Sequence, residues 1–239
     1  VIGMLNFLVN STHPELVFAV HQCARFSADP KQSHKQAVKR ILRYLKGTRR
    51  EQSNKGVPEY QGILFTPDRT RSIDIHVDAS FAGEWTALTS EDPSTVLSRT
   101  GFYIAYACCP IIWCSKLQTE ISLSTTEAEY IVLSHSLRDV LPLMNFLQEL
   151  STDFPELKKM PILHGTIFED NQGCVDIVNC PKMRPHTKHI ALKYHHFRSH
   201  VGKKISIEKV AGDDQSADIL TKPLANAFFL KHCKTISGW

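Results

Sequence analysis

The chain has 239 residues, 42% of them hydrophobic and 22% charged, with 28 lysines and arginines against 24 acidic residues and a net charge of +4. That length fits one large or two small domains of ordinary globular composition, and the small basic excess permits nucleic-acid binding without demanding it. No uninterrupted apolar run approaches about 20 residues, which excludes a membrane-spanning helix. Seven cysteines, an odd number, fit no regular disulfide framework and point to a reducing, intracellular compartment.

Residues 1–9 are apolar but lack the charged flank and cleavage pattern of a secretory signal. A chain that begins with Val rather than Met reads as a piece of a longer protein. Residues 1–47 are expected to be helical throughout, with a helix start at Thr12-His13-Pro14 and a second helix opening at Ser33 and ending before Gly47. In that second helix Val38, Ile41, Leu42 and Leu45 form an apolar stripe, while Lys35, Lys39 and Arg43 recur every fourth residue on another face. A basic face is most often simply solvated. The density of this one, with Arg40, Lys46, Arg49 and Arg50 added, suggests phosphate contacts through Lys39 and Arg43. Residues 60–66 read as a strand, and 66–72 (TPDRTRS) as the clearest domain boundary.

From Ile73 the pattern alternates: Ile73, Ile75 and Val77 face one way, Asp74, His76 and Asp78 the other. Residues 83–99 read as an exposed polar insertion. Strands at 100–107 and 111–115 are joined by a hairpin turn at Cys108-Cys109-Pro110; Cys108, Cys109 and Cys114 match no common zinc spacing. A long helix follows to about residue 150, then a strand at 161–168 and a short helix at 172–179. A basic helix at 186–201 carries Lys188, Lys193, Arg198 and five histidines. A strand at 204–210 and helices from 216 and 225 complete the chain. Three hairpin-linked strands followed by strand–helix crossovers imply an α/β fold, a mixed sheet with helices on its faces.

The long helix opens at LSTTEAEYIVL, residues 123–133, where Ser124 and Thr126 are each followed three residues on by a glutamate, a capping-box spacing. Counting from Glu129, Leu133, Leu137, Val140, Met144 and Leu147 share its face, so an acidic residue heads the core stripe. Glu127 falls on a more solvated side. Glu129 as a mere cap is the bland reading; an inward carboxylate costs free energy unless something pairs with it, so a metal or catalytic role is the sharper one. Asp78 and Asp170 end strands, where open α/β sheets bind ligands, and Asp218 opens the segment after the last strand. Such a cluster would repel itself without a cation, and hard oxygen donors suit Mg²⁺ or Mn²⁺. Two such ions together activate a water and stabilise the leaving oxygen in phosphodiester hydrolysis.

VDASFAG at 77–83, SRTGFYI at 98–104, WCSKLQTEISLSTTEAEYIVLS at 113–134, DNQG at 170–173, HTKHIALKYHHFR at 186–198 and ADILTKPL at 217–224 resemble the ribonuclease H domain of copia-type LTR retrotransposon polyproteins. AVKRILRYLKGT at 37–48 is similar to the end of the reverse transcriptase that precedes it. The resemblance implies a ribonuclease H-like mixed five-stranded sheet at 72–229, a mainly helical polymerase end at 1–66 and a tail at 230–239. It implies cleavage of the RNA strand of an RNA–DNA hybrid to a 5′-phosphate and a 3′-hydroxyl, with two Mg²⁺ (or Mn²⁺) ions held by Asp78, Glu129, Asp170 and Asp218. Glu127 is the runner-up for Glu129. Partners would be the hybrid and the remainder of the polyprotein, with no membrane, in the cytoplasm, a virus-like particle or the nucleus. Lys188, Lys193 and Arg198 would meet phosphates, with recognition by shape and 2′-hydroxyls. His196 and His200, four apart, lack further ligands for zinc. Trp85 is a candidate for stacking on nucleic acid, Trp113 for the core.

Two departures stand out. Cellular ribonucleases H carry a histidine in the loop before the last aspartate; here that loop, residues 211–215 (AGDDQ), has none. The paired-aspartate motif of a polymerase is absent, since Asp213-Asp214 lies in a turn, so no DNA synthesis is expected. The rival readings are an inactive relic that binds nucleic acid or packs against a polymerase, and a recombinase or integrase sharing the fold and acidic cluster.

Overall fold

The computed structural model describes residues 1–48, 62–87, 89, 91–154, 163–180 and 196–238, and a five-stranded sheet organises them, in the spatial order β3 (Cys109–Leu117), β2 (Arg99–Tyr106), β1 (Ile73–Ser80), β4 (Gly165–Glu169) and β5 (Ile205–Lys209). The alternating run becomes the central strand β1 (Ile73–Ser80). β2 (Arg99–Tyr106) and β3 (Cys109–Leu117) continue from it as an antiparallel meander. Ala107 and Cys108, with φ of 49° and 64°, make the tight turn between them. β4 (Gly165–Glu169) and β5 (Ile205–Lys209) pair parallel on the other side of β1. This is the mixed five-stranded sheet with flanking helices that the sequence led us to expect.

Helices cover both faces: one is apolar along β1, β2 and β4, the other through Tyr103 and Ala105 of β2 and Trp113 of β3. On one face Ile73, Ile75, Val77, Ile104 and Ile167 pack with Leu133, Leu137, Val140 and Met144 of the long helix α4 (Thr125–Asp153). The stripe headed by Glu129 is therefore the buried one. On the other face Tyr103 and Ala105 meet Leu5 and Val9 of α1 (Ile2–Ser11), Leu16 of the 3₁₀ turn Pro14–Leu16, and Val17 and Val20 of α2 (Val17–Arg25). Cys233 and Ile236 of the last helix α6 (Asn226–Ser237) join the same cluster. Polar contacts tie these layers. Trp113 Nε1 donates to Val9 O at 2.9 Å, and the buried Arg99 meets Gln22 Oε1 at 2.5 Å and His21 Nδ1 at 3.0 Å. α1 and α2 thus form a layer of the sheet's own packing rather than a unit apart. Residues 230–237 belong to α6 and are built into the core rather than trailing as a tail.

Several expectations need correction. The apolar stripe of α3 (Gln32–Gly47) reaches the core except at one position: Ile41 is buried and Val38 and Leu45 pack against the same cluster, but Leu42 is 43% exposed, because α3 packs mainly on α2. Of the strand expected at 60–66, residues 62–66 are described and are not strand; Leu64 N–H donates to Ser237 O at 2.8 Å, capping α6 instead of pairing with an edge. Gly238, at φ 79°, ends α6 in the left-handed conformation. The insertion at 83–99 is anchored, with Glu84 held by Arg25 and Gln22. The helix expected at 186–201 lies outside the described residues up to 195, and beyond them is a single 3₁₀ turn, Arg198–His200. The segment opening at 216 is likewise a 3₁₀ turn, Ser216–Leu220, cut short by Pro223 two residues past the point where an α-helix would need to continue. The short helix α5 (Gln172–Asn179) stands as expected.

Candidate active site

The start of α4 separates its two glutamates. Ser124 Oγ accepts the Glu127 N–H at 3.1 Å, and Glu127 Oε2 accepts the Leu123 N–H at 2.7 Å. Glu127 is therefore spent on capping. Glu129, two residues on and 5% exposed, points at the sheet. Glu127→Ala is expected to lower stability by about 1 kcal/mol in a denaturant titration while leaving divalent-cation binding by calorimetry intact; Glu129→Gln should do the reverse. Loss of cation binding in Glu127→Ala would return the role to Glu127.

β1 and β4 run parallel and adjacent, so Asp78, near the end of β1, and Asp170, just past β4, emerge at the same edge. One carboxylate oxygen from each of Asp78, Glu129 and Asp170 lies within 4.8 Å of the others. Two helix starts are joined beside them, with Thr126 Oγ1 donating to Asn171 Oδ1 at 3.4 Å and Asn171 Oδ1 capping α5 through the Cys174 N–H at 3.1 Å. The fourth carboxylate arrives on the Ser216–Leu220 turn. Gly101, paired with Asp78 across β1 and β2, lets this turn press in: a Cβ there would sit 2.3 Å from Thr221 Cγ2. Thr221 Oγ1 donates to Asp78 Oδ2. Asp218 is linked to the cluster through Lys222, whose Nζ lies 2.8 Å from Asp218 Oδ1 and 3.9 Å from Asp78 Oδ1.

Sequence reading did not single out Glu169, fully buried behind Asp170. The signal was available, since alternation in β4 sets Glu169 on the α4 side with Ile167. Its Oε1 accepts the Asn171 N–H at 2.8 Å, while its Oε2 and Glu129 Oε2 are buried without a hydrogen-bond partner. Burial pushes the Glu169 carboxyl up to about 8, against the Asn171 N–H and with added repulsion from Asp170 and Asp78. Burial likewise raises Asp78 to about 7; Lys222 and Thr221 oppose this, and Asp218 and Asp170 reinforce it. Glu129 is held well above the ordinary range by burial and then by Glu169 and Asp78. Asp218 is raised by burial, with Lys222 opposing. Partnerless buried oxygens in an all-carboxylate cluster suit a hard divalent cation such as Mg²⁺ or Mn²⁺.

These shifts fix a pH dependence. Asp78 keeps its proton in the fold from its ordinary 3.8 up to about 7, and Glu169 from 4.5 up to about 8. The folded state thus binds more protons than the unfolded one, and stability falls as pH rises through that window. The buried histidines His21, His76 and His232, held below 6.5, act oppositely, but only below that pH. In EDTA the melting temperature is therefore expected to fall between about pH 6.5 and pH 8, and saturating Mn²⁺ should remove the slope. A melting temperature that rises across this range would contradict the burial of these carboxyls.

Lys39 and Arg43 are exposed on α3. Lys188 and Lys193 lie outside the described residues. Arg198 is half-buried and donates to Cys180 O and, at 3.4 Å, to Ile177 O, so its guanidinium holds the end of α5. Trp85 is 52% exposed. All seven cysteines are free thiols. Among the described residues no helix is long and apolar enough to cross a membrane.

A mixed sheet in this order, with α4 crossing one face and carboxylates collected where β1 and β4 end, defines a ribonuclease H-like fold. No protein-family model matches the chain. The retrovirus-related Pol polyprotein from transposon RE1 of Arabidopsis thaliana is 32% identical over 96% of this chain, and that from transposon TNT 1-94 of Nicotiana tabacum is 32% identical over 99%. The chain belongs to this family of transposon Pol polyproteins. It spans 14% of the RE1 polyprotein and 16% of the TNT 1-94 polyprotein. Among solved structures, the N-terminal ribonuclease H domain of a Mycobacterium tuberculosis protein is similar at 14% identity and a TM-score of 0.42, over 69% of this chain and 97% of that one.

Proposed function

We propose that this chain is the ribonuclease H segment of a retrotransposon polyprotein, preceded by the end of its reverse transcriptase, and that it hydrolyses the RNA strand of RNA–DNA hybrids. The observation that carries the reading is the approach of Asp78, Glu129 and Asp170 within 4.8 Å, in a chain whose polyprotein relatives match it from end to end. Asp218 completes the set from the rim. When bound there, one or two divalent cations supply the charge that makes a water nucleophilic and stabilises the leaving oxygen.

The chain's own residues do the rest. Glu129 and Glu169 keep the floor of the site closed, Thr221 orients the Asp78 carboxylate, and the cap at Ser124 and Glu127 fixes the height of Glu129 over the strand ends. Lys39 and Arg43, with Lys188 and Lys193, are the candidates for phosphate contacts. The relatives' polyprotein context makes the rest of the reverse transcriptase the expected partner, and free thiols throughout suit an intracellular setting.

The test is a substrate panel in Mg²⁺: an RNA–DNA hybrid, a DNA duplex and single-stranded RNA, each end-labelled, with product ends mapped. The expected result is cutting of RNA in the hybrid alone, leaving 5′-phosphate and 3′-hydroxyl ends. Cutting of duplex DNA would favour a recombinase-like activity, and hybrid binding without cutting an inactive relic.

A further inference from the structure

Lys222 sits where the cluster is most in need of positive charge. It follows Thr221, which holds Asp78, and lies one helical turn past Asp218, with its N–H bonded to Asp218 O at 3.1 Å. The backbone thus aims its side chain between two carboxylates that arrive on different elements. Nζ reaches Asp218 Oδ1 at 2.8 Å and Asp78 Oδ1 at 3.9 Å. Lys209, also close by, donates instead to the backbone carbonyl of Asp170. The Lys222 side chain is 42% exposed, so its head can leave the carboxylates without opening the core.

We propose that Lys222 is the built-in counter-ion of the cation site: a positioning residue that holds Asp78 and Asp218 together in the cation-free protein, yields its place to a divalent cation, and so sets the affinity of that site. This rests on the cluster being a divalent-cation site. A fixed ammonium between two carboxylates competes with an incoming cation for the same oxygens. Removing it leaves the carboxylates mutually repelling, which destabilises the empty protein and favours the loaded one.

The experiment is calorimetric titration of the full chain with Mn²⁺, without nucleic acid, alongside thermal melts in EDTA and in saturating Mn²⁺. Lys222→Met and Lys222→Gln are compared with wild type and with Lys231→Met, which removes one charge from a surface pair with Asp214. Both Lys222 variants are expected to bind Mn²⁺ about tenfold more tightly than wild type, to melt lower in EDTA, and to regain wild-type melting in Mn²⁺, while Lys231→Met binds as wild type does. Wild-type binding that the Lys222 substitutions leave unchanged or weaken overturns the inference alone. A wild type that takes up no Mn²⁺ overturns the cation site and this inference with it. A measurement on the wild type guards against variants that fail to fold: Mn²⁺ should raise the rate at which Lys222 is acylated by an amine-reactive probe, followed by mass spectrometry. An unchanged or slower rate overturns the proposal.

Discussion

Removal of residues 1–48 is expected to leave a chain with no cooperative unfolding transition. Tyr103, Ile219, Leu220 and Ile236 would lose their cover from Leu5, Val9, Leu16, Val17 and Val20. At about 1.5–3 kcal/mol for each large apolar side chain returned to water, exposing even part of that face costs an amount comparable to the whole stability of a domain, about 5–15 kcal/mol. Arg99, nearly inaccessible in the full chain, would also lose its contacts with Gln22 and His21. We therefore propose that the N-terminal helices are a structural layer of the sheet and not a detachable neighbour. Circular dichroism melts of the truncated chain check this. A sharp transition near that of the full chain would restore the boundary at 66–72.

Asp78→Asn and Asp170→Asn are each expected to reduce hybrid cleavage by about a thousandfold or more, since each removes a charged oxygen donor from the cluster on which a divalent cation depends. The same variants should remain folded. An amide keeps most of the shape and one acceptor oxygen, so the Asp78→Asn side chain can still accept from Thr221. The fold already disfavours a charge at Asp78, whose burial holds its carboxyl near 7, so the neutral replacement should melt at or above wild type in EDTA at pH 8. Activity lost together with the fold would leave the site assignment without support. Activity lost with the fold retained separates chemistry from packing.

The site was legible wherever a single periodicity fixed a side chain's direction. Counting along α4 chose Glu129 over Glu127, but the solvated side expected for Glu127 is buried, at 8% exposure; what separates the two is that Glu127 caps Leu123. Alternation set Asp78 apart from Val77, and the strand end placed Asp170. What the sequence could not show is how separate elements meet. Lys222 reads as one more surface lysine until the Ser216–Leu220 turn carries it to Asp78, and that approach depends on Gly101 in a strand more than a hundred residues away in the chain. Glu169 was masked by its neighbour Asp170. The apolar faces of α1 and α2 were visible, but their pattern does not say that their partner is the second face of the sheet. The apolar stripe of α3 was read as core, and Val38, Ile41 and Leu45 do pack against it; Leu42 alone is exposed, because amphipathicity marks a preferred face without fixing where its cover ends.

The most direct measurement is a time course of an RNA–DNA hybrid labelled on the RNA, incubated in Mg²⁺ with the full chain and, in parallel, with Asp170→Asn. Progressive RNA cleavage by the wild type that Asp170→Asn lacks is the expected outcome, and it would tie the reaction to the carboxylates at the ends of β1 and β4. Equal cleavage by both would contradict that assignment, and an intact hybrid with folded wild-type chain would contradict the proposed activity itself.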